Sequence, residues 1–144
     1  MQAEPLYKRA LTIYEKELGQ NHPDTAASLN GLAGLYQNQG QYAKAEPLYK
    51  RALVIDEKAL GLNHPDVATD LNNLAALYDD QGLYMQAEPL YERALTIKED
   101  ALGQNHPSVA TSLENLATLY RATDRNKEAE ALEQRAARIQ AAHQ

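Results

Sequence analysis

Residues 3–11 read AEPLYKRAL, and the same nine letters return at residues 45–53. Residues 87–95 read AEPLYERAL, with a single exchange. The step between copies is 42 residues, and the copies at 19–60 and 61–102 agree at about two-thirds of their positions. A fixed period of this length predicts a stack of similar supersecondary units in which each copy packs on its neighbours.

The residues that begin and end structural elements keep the same step. All six prolines are in register, and so are the glycines and histidines between the copies. The recurring sets are Pro5, Pro47 and Pro89; Pro23, Pro65 and Pro107; Gly19, Gly61 and Gly103; and His22, His64 and His106. No low-complexity linker interrupts the register, so we expect one domain over 1–144.

Each copy contains two segments with the apolar spacing of a helix. Leu29, Leu32 and Tyr36 follow i, i+3, i+7 in the first segment, and Ala45 and Tyr49 follow i, i+4 in the second. Neither segment alternates as a strand would. The predicted helices are 2–18, 23–38, 42–60, 65–80, 84–102, 107–122 and 126–142.

Local signals mark the ends of these helices. Asn21 or His22 is the expected N-cap of the first helix in a pair, because Pro23 suits the first helical position. Gly40 and Gly61 stand where the two helices of the pair should end, since glycine adopts the left-handed C-terminal conformation without strain. The predicted helix-pair repeats are therefore 23–60, 65–102 and 107–142.

The two ends of the array depart from this plan. The helix within 1–18 matches the second helices of later copies, so we expect it to be the second helix of a truncated repeat. That arrangement leaves an apolar face at Leu6, Tyr7, Ala10 and Leu11. In the last copy Asp124 replaces a glycine, Ala131 a proline and Glu133 a tyrosine, which predicts a solvent-facing cap.

The pattern Leu29-x-x-Leu32-Ala33-x-x-Tyr36, followed by Gly40-x-Tyr42-x-x-Ala45-x-x-x-Tyr49-x-x-Ala52, resembles the tetratricopeptide repeat (TPR). The longer period, the LG-x-x-HP between copies and the L-N-N-L-A of the first helix are similar to the kinesin light chain subclass. This resemblance covers essentially the whole chain. It implies an all-α, right-handed superhelical solenoid of antiparallel helix pairs, here with seven helices, whose concave groove binds peptides or proteins.

The same resemblance places candidate binding residues on the first helix of each pair. These residues, which we call the groove stripe, are Asn30, Gly34, Gln37, Thr69, Asn72, Asn73, Ala76, Asp79, Thr111, Glu114, Asn115, Thr118 and Arg121. Asparagine offers a donor and an acceptor, which suits the main chain of an extended peptide. The alternative is an ordinary solvated surface, and the resemblance favours the groove. With Arg121 as its only basic residue, the stripe does not suit a carboxylate clamp.

Composition excludes several other classes of function. A net charge of −6 and a pI near 5.2 oppose nucleic-acid binding, which depends on clustered basic residues. The absence of cysteine excludes disulfides, thiolate catalysis and Cys-ligated metals. No segment reaches the apolar length that spans a bilayer. We therefore expect a cytoplasmic protein that binds neither nucleic acid nor membrane.

No set of residues predicts catalysis, a cofactor or a metal site. His22, His64 and His106 are one repeat apart, which is too far for a shared metal, so we interpret them as capping residues. The acidic pairs lack a nearby nucleophile, histidine or phosphate loop. We assign the aromatic positions Tyr7, Tyr49 and Tyr91 to the core.

Two functions follow from the sequence. The leading hypothesis is a non-catalytic scaffold that binds a peptide or protein partner in the groove. The alternative is structural self-association, as a dimer or an end-to-end stack, through the open face of the N-terminal helix.

Overall fold

Seven α-helices and no strand make up residues 3–144, the part of the chain that this computed structural model describes. The helices are α1 (Ala3–Glu17), α2 (Pro23–Asn38), α3 (Tyr42–Leu60), α4 (Pro65–Asp80), α5 (Tyr84–Leu102), α6 (Pro107–Ala122) and α7 (Asn126–Ala142). The predicted all-α fold is confirmed. Met1 and Gln2, which open the segment 1–18 predicted to hold the first helix, lie outside the described residues.

Histidine caps the first helix of every pair. Nδ1 of His22, His64 and His106 accepts a hydrogen bond from the backbone N–H two residues later, at 3.0 to 3.1 Å. A proline follows each cap, where a backbone N–H would have no partner within the helix. Of the two predicted caps, the structure selects His22. This capping accounts for the recurrence of the histidines.

The short turn inside each pair needs a left-handed residue. Gly40 and Gly82 adopt a φ of +75°, and Asp124 adopts +63° at the same position of the third pair. A glycine has no Cβ to strain in this conformation, whereas an aspartate does. The third turn is therefore the least favourable of the three.

The helices pack in pairs, α2 with α3, α4 with α5 and α6 with α7, and each second helix packs against the next first helix. Small side chains permit the close approach. Ala33, Ala45, Ala75 and Ala87 are fully buried in one core that continues from the first pair into the third. The result is a TPR-like solenoid.

Tyrosines at one repeat position have two different environments. Tyr49 and Tyr91 are 5% and 4% exposed, so their prediction as core residues is confirmed. The same prediction is wrong for Tyr7, which is 39% exposed. Within the described residues α1 packs mainly on α2, so one side of this ring stays open. Its other side lies against Gly31, where an added Cβ would come within 2.3 Å of the ring.

A ladder of ion pairs joins successive second helices. Each rung links a glutamate to an arginine of the next second helix, and we call the set the arginine–glutamate ladder. The rungs are Arg51 Nη2 to Glu15 Oε2 at 3.2 Å, Arg93 Nη2 to Glu57 Oε2 at 2.8 Å, and Arg135 Nη2 to Glu99 Oε2 at 2.6 Å. The rungs repeat with the period of the sequence.

None of the helices in residues 3–144 combines the length and the apolar composition that crossing a bilayer requires.

Candidate functional site

The groove stripe lies on α2, α4 and α6, and each of its residues is at least partly exposed. Helices α2 and α4 contact each other directly. Gln37 Nε2 on α2 donates to Asp80 Oδ2 on α4 at 2.6 Å, which fixes the two helices side by side at this end. The stripes of α2 and α4 therefore lie on helices that contact each other directly.

The last stripe residue of each first helix is bound to the second helix of its own pair. Tyr49 Oη donates to Gln37 Oε1 at 2.7 Å, and Tyr91 Oη donates to Asp79 Oδ2 at 3.4 Å. Burial raises the pKa of both tyrosines, so each hydroxyl keeps its proton as a donor. These two stripe residues therefore connect the first helix to the second helix of their own pair.

The third pair makes the same connection with charged groups. Arg121 Nε and Nη2 donate to the two oxygens of Glu133 at 2.7 and 2.5 Å. The guanidinium lowers the pKa of the Glu133 carboxyl through these bonds. Arg121, the one basic residue of the stripe, is thus already paired within the protein.

Other stripe residues have partners nearby. Thr69 Oγ1 donates to the Pro65 carbonyl at 3.4 Å, and Thr118 Oγ1 donates to the Glu114 carbonyl at 2.9 Å. The Glu114 side chain accepts from Gln140 Nε2 at 2.9 Å. Each of these three residues therefore already makes a side-chain hydrogen bond within the protein. Gly34, Ala76 and Thr111 are small residues that keep the stripe open.

Three amide side chains of the stripe have no such partner. Asn72, Asn73 and Asn115 are half-buried and make no side-chain hydrogen bond to any of residues 3–144. Asn72 Oδ1 is enclosed by protein and still lacks a donor within that part of the chain. A free amide can bond both the N–H and the C=O of an extended peptide.

An acidic recess that the sequence analysis did not single out opens between α2 and α4. Its volume is about 300 Å³. It is lined by Pro23, Asp24, Ala27, Asn30, Asp56, Asp66, Thr69 and Asp70. Because Asn30 and Thr69 belong to the groove stripe, the recess opens within the candidate groove.

Two buried carboxyl groups form the floor of this recess. Asp56 of α3 and Asp70 of α4 are 5% and 2% exposed. Asn30 Nδ2 donates to Asp70 Oδ1 at 2.7 Å. Burial and the adjacent Asp56 carboxyl raise the pKa of Asp70 to about 8, against the opposing effect of Asn30. Asp70 therefore holds a proton at neutral pH when the recess is empty.

The acid pair is particular to one interface of the array. Asp70 stands where the other first helices have Ser28 and Ser112, and Asp56 stands where α5 has Lys98. These departures from the repeat are visible in the sequence and could have marked both residues. The two residues lie close together because α3 packs against α4, and the sequence does not show that packing.

Helix pairs of this length, stacked with small and polar residues along their first helices, define the class of TPR solenoids. The sequence profile of the tetratricopeptide repeat family matches residues 1–58, 24–100 and 71–142. The chain belongs to the tetratricopeptide repeat family, and its repeats are kinesin light chain-like. Proteins of this fold are generally non-catalytic scaffolds for protein interactions.

Two solved structures are similar along the chain. BtubC (BKLC) of P. vanneervenii is 31% identical with a TM-score of 0.90, over 98% of this chain and 56% of that one. The nearly identical TPR-like repeats of a candidate kinesin light chain from Podosopora anserina are 32% identical with a TM-score of 0.80, over 99% and 68%. The chain thus spans little more than half of the BtubC structure. No curated protein matches the sequence.

Proposed function

We propose that the chain is a non-catalytic scaffold whose groove stripe holds an extended segment of a partner protein. The observation that supports this proposal most directly is the set of free amides at Asn72, Asn73 and Asn115. An amide without a partner in the protein keeps its donor and acceptor available to an external ligand, which supports this role. The fold of the family is consistent with this role.

A displayed random-peptide library tests this proposal with the purified chain. We expect wild type to enrich peptides that Asn72→Ala/Asn73→Ala binds about tenfold more weakly. The double variant should melt no lower than wild type, because the two amides that it removes make no hydrogen bond within residues 3–144. Gln86→Ala, an exposed substitution on α5 outside the groove stripe, is the matched control. Failure to enrich any peptide, or unchanged binding by the double variant, rejects the proposal.

Self-association through α1 is a second candidate, favoured by a specific observation. Leu6 is 66% exposed and Ile13 is 47% exposed, an unusual degree for residues of this size. Leu6 and Tyr7 also line a mostly apolar recess of about 320 Å³. This surface could be covered by the same face of a second chain.

Light scattering across a dilution series separates the two candidates. Self-association predicts a mass that rises with concentration above 16.0 kDa, and Leu6→Glu should return the chain to a monomer. The peptide scaffold requires no such dependence. A constant monomer mass at high concentration rejects self-association.

A further inference from the structure

We propose that the acidic recess receives the side chain of an arginine or lysine residue from the bound partner. This inference rests on the proposed function, because a partner bound along the groove stripe would supply the side chain. The recess opens between the stripe residues Asn30 and Thr69. The inference predicts that the bound segment of the partner carries a basic residue, which lies opposite the interface between the first two helix pairs.

Acidic residues that favour a cation lie both at the rim and at the floor of the recess. Asp24 and Asp66 stand exposed at the N-terminal ends of α2 and α4, and Asp56 and Asp70 form the floor. No lysine or arginine is among the residues that line it. A cation would therefore meet carboxylates first at the rim and then at the bottom.

The floor carries two carboxyl oxygens that share little more than a proton. Apart from the proton that Asp70 retains at neutral pH, Asp56 Oδ1 and Asp70 Oδ2 have no hydrogen-bond donor among residues 3–144. Carboxylates can only accept, and two adjacent buried carboxylates need a proton or a cation between them. A guanidinium or an ammonium group brings both the charge and the donors to these two oxygens.

The side chains that line the recess suit an organic cation better than a metal ion. In the described part of the chain, no group of three or more histidine or carboxylate side chains is arranged to ligate a metal. Calcium requires six to eight oxygen ligands, and magnesium requires a near-ideal octahedron. The hydrogen bond from Asn30 also occupies one oxygen of Asp70. The carboxylates that line the recess are thus not arranged to ligate either ion.

A bound cation should displace the proton that the acid pair holds. At the rim the titratable groups around the pair are Asp24 on α2 and Asp66 on α4, and Nδ1 of the N-cap residues His22 and His64 lies 3.9 Å from their carboxylates. Affinity for a cation should therefore strengthen as the pH rises from about 6 to about 9.

The probes are N-acetyl-arginine amide and its neutral analogue N-acetyl-citrulline amide, titrated into the ¹⁵N-labelled full chain at low salt. We expect the arginine derivative to shift the Asn30 side-chain amide and the backbone amides near Asp70. The citrulline derivative should bind about tenfold more weakly, because it has the same shape without the charge.

Three variants connect the binding to the recess. Asp70→Ser introduces the residue that the other copies carry, so it preserves the fold and should weaken arginine binding about tenfold. Asp56→Lys introduces the residue of the next copy and supplies an internal cation, so it should abolish binding while raising Tm. Asp100→Asn removes an exposed charge on α5 outside the recess and should bind as wild type does.

Each outcome decides the inference. Equal binding of citrulline and arginine, unchanged binding by Asp70→Ser, or no shift at any concentration overturns it, and so does a stronger response to Ca²⁺ alone. If the arginine derivative binds but no displayed peptide does, the recess stands and the peptide scaffold fails. If peptides bind without a basic residue and Asp70→Ser does not affect them, the scaffold stands and this inference fails.

Discussion

How much a residue contributes to the stability of this array depends on which copy of the repeat contains it. Tyr7 and Tyr49 are the same residue at the same repeat position, yet only Tyr49 is enclosed between helices. Its hydroxyl is also bonded to Gln37 at 2.7 Å. The copy in which a side chain stands therefore decides what the side chain contributes.

Tyr49→Ala should lower the free energy of unfolding by about 3–5 kcal/mol, because it removes a large buried side chain. Tyr7→Ala should cost less than about 1.5 kcal/mol, since much of that ring already contacts water. Urea denaturation of the two variants provides the measurement, and each is a control for the other. A loss below about 0.5 kcal/mol for Tyr49→Ala would contradict its place in the core.

Asp70 should make the stability of the fold depend on pH. Its ordinary pKa is 3.8, which we take for the unfolded chain, and in the fold it is about 8. Between these values the folded state retains a proton that the unfolded state has released. The contribution of Asp70 to stability is thus complete below about pH 4 and is lost as the pH rises toward 8.

Asp70→Asn removes this titration and should raise stability by roughly 1–3 kcal/mol at pH 7.5, with little effect near pH 4. Thermal melts of wild type and variant at both pH values test the expectation. Asp100→Asn, at an exposed position, should follow wild type. An equal gain at the two pH values would mean that Asp70 does not titrate as described.

At the scale of the helix, the boundaries could be predicted because their signals are local. A histidine followed by a proline starts each first helix, and a glycine ends each second helix that leads into the next copy. The connections between helices could not be predicted in the same way. The bonds from Gln37 to Tyr49 and from Arg121 to Glu133 depend on which faces meet after packing.

A glycine in the turn between α6 and α7 should make the protein more stable. Asp124→Gly should raise the free energy of unfolding by about 0.5–1 kcal/mol, because it relieves the left-handed strain of a residue with a Cβ. Gly82→Asp is the reciprocal change at the equivalent turn and should destabilise. Thermal melts of both variants give the measurement, and a destabilised Asp124→Gly would show that the aspartate side chain stabilises this turn.

At the scale of the whole molecule, the first and last helices of the stack, α1 and α7, contain the fewest buried residues. Helix α1 contains no buried residue, whereas α4 contains eight and has neighbours on both sides. In a solenoid each unit is stabilised by its own folding and by its interfaces with its neighbours. The ends and the centre should therefore open with different free energies.

Hydrogen exchange followed by mass spectrometry should show this gradient. We expect the amides of α1 to exchange at least about tenfold faster than those of α4, which corresponds to about 1.4 kcal/mol of opening free energy. Peptides from α7 provide an internal comparison at the other end. Uniform exchange along 3–144 would indicate that the array opens as one cooperative unit.

The candidate site was only partly predictable at this scale. The role of the groove stripe in binding stays a prediction, but its placement on consecutive first helices could be predicted from helical periodicity. The acidic recess could not, because Asp56 and Asp70 belong to different copies and stand 14 positions apart. Their meeting depends on how one helix pair stacks on the next.

The arginine–glutamate ladder bears on how such an array can change in length. Every rung uses the same two positions of the 42-residue unit, so each new rung is specified by residues that a duplicated unit already contains. Insertion or excision of one complete unit by unequal recombination would keep every remaining rung matched. A gene of this kind can therefore lengthen or shorten its product by whole units without requiring a new interface between helices.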